Sequence, residues 1–373
     1  MASPESRPTV LVAIDWYLPA FRAGGPIRSI ANLVTALGDE IDFRIVCGDR
    51  DLGANAPLPI DLDTWHTVGK AHVLYLSKTD WTAARWTALL SGIQPDLLYL
   101  NSLYSGPFSR LPWKVARAMG APTKLAPRGM LGPGALSVKP FRKRAWLWMQ
   151  RLTGGYRDIR WHASTEQEAA EIRAWFPNAS IQVALNLPVP FAPMPSNRQA
   201  GALRILSVGR IHPIKNYPFG VDVAGSLVHD GTRVEYRIVG PIEDAAEADR
   251  IRQQSDAIEL ELVGPVSPTE TADHFGWADL VLVPSFNENF GHAIAEAVAC
   301  GKPVLVSDQT AWSALNPGPS VRCLPLDLKT WAEAAQVLLD LSPKDLITAS
   351  EDTHRRCLLG PTHLAAQRAL FTP

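Results

Sequence analysis

The chain has little cysteine and no long apolar run, and its charge is not weighted to one sign. Four cysteines in 373 residues, Cys47, Cys300, Cys323 and Cys357, form no CxxC pair and have no His at metal-ligand spacing. Their spacing excludes a disulfide framework or a zinc knot and points to reduced thiols of a cytosolic chain, with no metal site. Lys and Arg total 36 against 37 Asp and Glu, a formal net charge of -1, which argues against a broad nucleic-acid footprint. No window approaches the roughly 20 apolar residues of a membrane helix. The opening MASPESRPTVLVAIDWY has no basic leader, and its short apolar run ends at Asp15, so it reads as a first strand rather than a signal peptide. Low-complexity tracts and solenoid repeats are also missing.

What is present is the composition of a soluble globular protein, 46% hydrophobic and 20% charged, long enough for two domains. Short β-branched runs alternate with helical patterns, the mark of parallel sheets covered by helices, so the class is α/β. The first half carries strands at TVLVAID, FRIVCG, AHVLYLS, DLLYLN, TKLAPR and IRWHAS. Between the first two, Ile30, Leu33, Val34 and Leu37 fall at helical spacing and predict one buried stripe. The Pro-rich segment 186–201 interrupts this rhythm and is the linker candidate. The alternation then restarts with LRILSVG, VEYRIVG, IELELVG, DLVLVPS and KPVLVSD, a second doubly wound sheet. The expected division is a Rossmann-like domain over 1–190, a second over 200–353, and a final segment 354–373 whose helix THLAAQRALF packs back on the first. Two such domains joined once would face each other across a cleft.

Three loops carry residues suited to a phosphorylated ligand. Gly24 and Gly25 precede a helix and let the backbone approach a ligand at its N-terminus, although a plain strand-to-helix turn would look the same. The stretch SVGRIHPIKN puts Gly209, Arg210 and Lys215 in a loop at a strand's carboxyl edge, where two cations suit a diphosphate and where a solvated basic loop is the rival reading. In PSFNENFGHAIAEAVACGKP, a strand end is followed by a helix over Gly291 to Cys300, closed by Gly301 and Pro303. Glu288 and the amides of Asn289, Phe290 and Gly291 then stand at the positive end of that helix. Glu296 lies eight residues on, up to about 12 Å away along a helix, a span suited to two ends of one extended ligand. A sugar nucleotide has that length and those hydroxyls.

GRIHPIKN followed by PSFNENFGHAIAEA resembles the retaining glycosyltransferases of the GT-B fold, family 4, with their E-x7-E signature; the likeness runs from the GG loop through LYLNSLYS and APRGMLGPGAL to the last strand-helix unit. It implies that Arg210 and Lys215 hold the donor diphosphate in place of a metal ion, that Glu288 binds hydroxyls of the transferred sugar, and that Glu296 binds the nucleotide ribose. It also implies transfer with retention from a nucleoside diphosphate sugar, with no further cofactor, to a glycan or lipid-linked acceptor in cell-surface polysaccharide synthesis. The first domain would take the acceptor and the second the donor. The chain departs from the pattern at Asn101, where many relatives carry His; an amide is no general base, so Asn101 is kept as a sugar contact. Arg128 in APRGML is an acceptor or phosphate contact, or equally a structural ion pair. His162, His212 and His292 read as core, loop and helix-end histidines. A sugar-nucleotide epimerase of the same fold and a non-catalytic nucleotide-sugar-binding subunit remain as alternatives.

Residues 139–161 combine seven cations with Trp146, Trp148 and Trp161. Basic residues among interfacial aromatics suit an anionic membrane surface, which would place the protein at the inner face of the membrane. The rival is a solvated helix face with its Trp side chains in the core.

Overall fold

A computed structural model describes residues 7–137, 139–194, 201–228 and 232–372. Residues 195–200 of the expected linker and 1–6 of the opening segment lie outside these. The chain divides into two compact units, Met1–Leu187 with Pro361–Pro373, and Pro188–Gly360. The Pro-rich residues after Leu187 thus belong with the second unit, and the chain returns to the first at Pro361 rather than at 354.

In the first unit the strands are β1 (Thr9–Ala13), β2 (Asp42–Gly48), β3 (Trp65–Val68), β4 (Ala71–Leu76), β5 (Leu97–Asn101), β6 (Thr123–Ala126), β7 (Arg160–Ala163) and β8 (Ser180–Val183), in the order β3-β4-β2-β1-β5-β6-β7-β8. All pair in parallel except β3, which runs antiparallel to β4. Chain order reverses direction between β1 and β5. Successive residues of β1 feed opposite faces: Leu11 and Ala13 join one buried cluster, Val10, Val12 and Ile14 the other. A sheet covered on both sides needs such near-continuous apolar strands. The helix Gly25–Leu37 lies on the second face and buries Ile30, Leu33, Val34 and Leu37.

The C-terminal helix Pro361–Ala369 completes that same face. Leu370 and Phe371 are 1% exposed, and the Phe371 ring meets Phe43 and Tyr99 edge-on at 5.8 and 5.2 Å. Arg368 forks onto Glu40 at 2.6 and 2.7 Å, and the Leu370 carbonyl accepts from buried Lys124. Burial, with the charge of Arg160 nearby, lowers the Lys124 pKa to about 8.

The second unit holds β9 (Ala202–Val208), β10 (Arg233–Val239), β11 (Glu259–Gly264), β12 (Leu280–Val283), β13 (Val304–Ser307) and β14 (Val321–Leu324), all parallel, ordered β11-β10-β9-β12-β13-β14. Here the order reverses between β9 and β12. No helix among the described residues is long and apolar enough to cross a membrane.

Candidate donor-binding site

In an open parallel sheet the crevice lies outside the carboxyl ends of the strands, at the point where the order reverses. In the second unit that point is flanked by the loop after β9, which carries Gly209, Arg210 and Lys215, and the loop after β12, which carries Glu288. Two hydrogen bonds tie them together: Phe286 N–H donates to the Ile214 carbonyl at 2.9 Å, and the Asn216 side-chain amide to the Pro284 carbonyl at 3.2 Å. Lys215 closes a short helical turn, Pro213–Lys215, whose first N–H is capped by His212: its Nδ1 accepts from Ile214 N–H at 3.2 Å. From there Lys215 Nζ reaches Glu288 Oε1 at 2.6 Å. The same oxygen accepts from Ser285 Oγ at 2.8 Å. Residues 73 apart in sequence therefore meet in one charged contact, with side chains 16% and 14% exposed.

Glycine is required beneath this contact. A Cβ on Gly240 would stand 2.2 Å from the Gly209 carbonyl oxygen, so the loops after β9 and β10 touch backbone to backbone. On Gly209 it would stand 2.8 Å from the Tyr217 hydroxyl. That hydroxyl has no hydrogen-bond partner among the described residues and is 2% exposed; burial raises its pKa well above the usual phenol value, with the charge of Glu288 adding to the rise and that of Arg210 opposing it. Arg210 itself is half exposed and pairs with Glu243 in the loop after β10 at 2.9 Å. It stands on the rim of the site, not against Glu288.

Gly291, at φ +75, turns the chain into the helix His292–Ala299, one residue shorter at each end than the sequence pattern predicts. Phe290 is buried, its carbonyl fixed by the Trp312 indole N–H at 2.7 Å, and its ring meets His292 edge-on at 4.8 Å. Asn289 is half-buried beside them. Glu296 sits in the second turn of the helix, 7% exposed. Cys300 lies close below: burial, with the Glu296 charge nearby, pushes its thiol up to about 11. All four cysteines are free thiols. No group of three or more His, Cys, Asp or Glu side chains among the described residues is placed to hold a metal ion.

In the first unit the strand ends on one side of the order reversal gather a second cluster. Asn101 closes β5 and is 2% exposed; its side-chain oxygen accepts from Arg128 Nε at 3.1 Å and Nη2 at 2.7 Å. The guanidinium also donates to Asn186 at 2.5 Å and to the Tyr99 hydroxyl at 3.0 Å. Every oxygen it meets among the described residues is uncharged, so in place of the ion pair that was one of its two readings Arg128 has a cage of two amides and a phenol. Tyr99 in turn bonds His162 Nδ1 at 2.6 Å, while Nε2 of that ring faces the Ala184 carbonyl at 2.8 Å. Gly24 has φ +66 with open space where a Cβ would be, and Asp15, at the end of β1, accepts from Ser105 at 2.6 Å. Burial raises the Asp15 pKa, against the hydrogen bond from Ser105.

The sequence reading missed Ser285, Tyr217, Glu243, Trp312, Tyr99, Asn186 and Asp15. Ser285 is recoverable from its spacing, three residues before Glu288. The others act through packing or through loops far away in sequence, where residue type alone carries no signal.

Residues 202–340, the whole of the crevice just described, match the family of glycosyl transferases group 1. Over these residues the second unit is similar to the group 1 glycosyl transferases. A D-inositol 3-phosphate glycosyltransferase of Kineococcus radiotolerans is 32% identical over 161 residues, 38% of this chain and 37% of that protein. The enzyme of the same name from Geodermatophilus obscurus is 34% identical over 116 residues, 28% of this chain and 26% of the relative. These alignments thus span about a third of each curated relative or less. Among solved structures, sucrose-phosphate synthase of Thermosynechococcus elongatus matches 98% of both chains with a TM-score of 0.71 at 18% identity. HepE of Anabaena, solved with UDP and glucose, matches 97% of this chain and 99% of its own with a TM-score of 0.66 at 13% identity. At such identities the likeness is one of fold: two Rossmann-like domains in the GT-B architecture.

Proposed function

We propose that the protein is a retaining glycosyltransferase, working without a metal ion, that moves a sugar from a nucleoside diphosphate sugar to a hydroxyl of an anionic or lipid-linked acceptor. The observation that carries this reading is the Lys215–Glu288 contact at the β9/β12 reversal point. Departure of the nucleotide builds negative charge on a phosphate. Fixed cations aimed at that charge lower the barrier more than they stabilise the bound substrate. In this scheme Lys215 leaves Glu288 for the diphosphate, Arg210 adds a second cation from the rim, and the amides of 289–291 lie at the start of the helix. Glu288, still held by Ser285, turns to the sugar hydroxyls, and Glu296 to the ribose. The transfer breaks the bond from the anomeric carbon to phosphate oxygen and forms one to the acceptor oxygen; the acceptor proton goes to the departing phosphate, since Asn101 accepts none.

The acceptor side is read from Arg128. Among the described residues its guanidinium meets only neutral oxygens, which leaves it a cation suited to an acceptor phosphate. Two of the proteins named above, the D-inositol 3-phosphate glycosyltransferase and sucrose-phosphate synthase, carry a phosphorylated compound in their names, and a lipid-linked glycan of cell-surface polysaccharide synthesis carries phosphate as well. The test is transfer from a panel of nucleoside diphosphate sugars. Lys215→Ala and Glu288→Ala should each lower kcat/KM by about 10²–10³, and unchanged rates would end the assignment. Donor conversion to an epimer without acceptor, or tight donor binding with neither transfer nor hydrolysis, would instead select the two rival functions.

A further inference from the structure

The helix Pro140–Thr153 has two apolar sides. One packs inward: Leu147 is fully buried, and the Trp146 ring meets Tyr104 and Tyr156. The other side is uncovered, with Phe141 88% exposed, Leu152 79% and Trp148 52%. At 3.6 residues per turn these three fall on a single stripe along the helix. An exposed contiguous apolar strip of this kind marks a contact surface.

Charge decides what that surface meets. Residues 139–161 hold seven cations and one acid, Asp158, which is already engaged by Arg117 at 3.0 Å. By helical position, exposed Arg144 and Arg151 border the stripe on one side and exposed Arg142 on the other, with Arg151 over the Trp148 ring at 5.3 Å. Lys143 instead turns inward, to the Ala135 carbonyl at 2.5 Å. Behind the helix the apolar surface continues from Met149 into a cavity of about 750 Å³ lined by Trp81, Trp113, Trp146 and Tyr156.

We infer that this helix seats the first unit on an anionic lipid bilayer. Phe141, Trp148 and Leu152 enter the boundary between headgroups and acyl chains, while Arg142, Arg144 and Arg151 meet lipid phosphates. A second copy of the chain is a poor occupant, because it would bring the same cations face to face. The inference rests on this surface and is independent of the donor chemistry.

The test is co-sedimentation of the full chain with phosphatidylcholine vesicles, with and without phosphatidylglycerol. Binding is expected to the anionic vesicles only and to weaken as salt rises. The exposed double variant Arg144→Gln/Arg151→Gln should bind about 30-fold more weakly, at roughly fivefold per cation. Phe141→Ser/Leu152→Ser should lose binding with melting temperature unchanged. Equal binding to both vesicle types, no binding to either, or full binding by the variants would overturn the inference. So would a concentration-dependent dimer abolished by the same serine substitutions.

Discussion

At the scale of single residues, the contact between Lys215 and Glu288 does two things. It neutralises two charges that would otherwise stand largely out of water, and in the proposed scheme it holds the lysine where a phosphate takes it over. Glu288→Gln keeps the size of the side chain and the Ser285 contact while removing the charge. It should lower kcat/KM by about 10² while leaving the fold intact by circular dichroism. Gly240→Ala is the steric counterpart: its methyl would run into the Gly209 carbonyl, and a cost of about 1–3 kcal/mol in urea unfolding is expected, with the loop after β9 displaced. His162 supplies a pH dependence. Burial, with the Arg128 charge second, lowers its pKa from 6.5 to about 3. Because the folded value lies below the unfolded one, the unfolded chain binds the extra proton as pH falls from about 6.5 to 3. His162 therefore destabilises the first unit progressively across that window and not above it. Thermal melts over this range should show the decline, and His162→Gln should flatten it.

At the scale of elements, the C-terminal helix is part of the first unit's core and not an appendage. Phe371→Ala removes a ring packed against Phe43 and Tyr99 and should cost about 3–5 kcal/mol of stability, measured by chemical denaturation. The strands β1, β2, β4 to β7, β9, β10, β12 and β13 were legible in the sequence as largely apolar runs bounded by turn formers, and the edge strand β11, which has no fully buried residue, through its alternation of Glu and Leu. The strands β3, β8 and β14 were not. Each is a four-residue edge strand; β3 and β8 have no fully buried residue and β14 only Val321. Half-covered edges of this length leave no periodicity to read. The two loops of the candidate site were legible for the opposite reason. Gly209, Lys215, Glu288 and Gly291 are residue types whose chemistry or backbone freedom a strand-to-helix turn does not otherwise need. That Lys215 and Glu288 touch was not legible, because their meeting depends on β9 and β12 being neighbours in the sheet.

At the scale of the whole molecule, the chain builds two sheets, each covered on both faces, and spends its last residues closing the first of them. A net charge of -1 conceals a strongly basic segment, 139–161, whose effect is local. The candidate donor crevice lies within the second unit, so on the proposed function ligand binding there stabilises the fold by mass action: a nucleoside diphosphate sugar at a hundred times its Kd should add about 2.7 kcal/mol. The most direct test is calorimetric titration of a panel of nucleoside diphosphate sugars into the intact chain and its Lys215→Ala variant. One donor is expected to bind the native chain and to bind the variant at least about tenfold more weakly, the loss of one charge-assisted contact. Equal affinity for both chains, or no binding by any donor, would contradict the assignment of this crevice to a diphosphate.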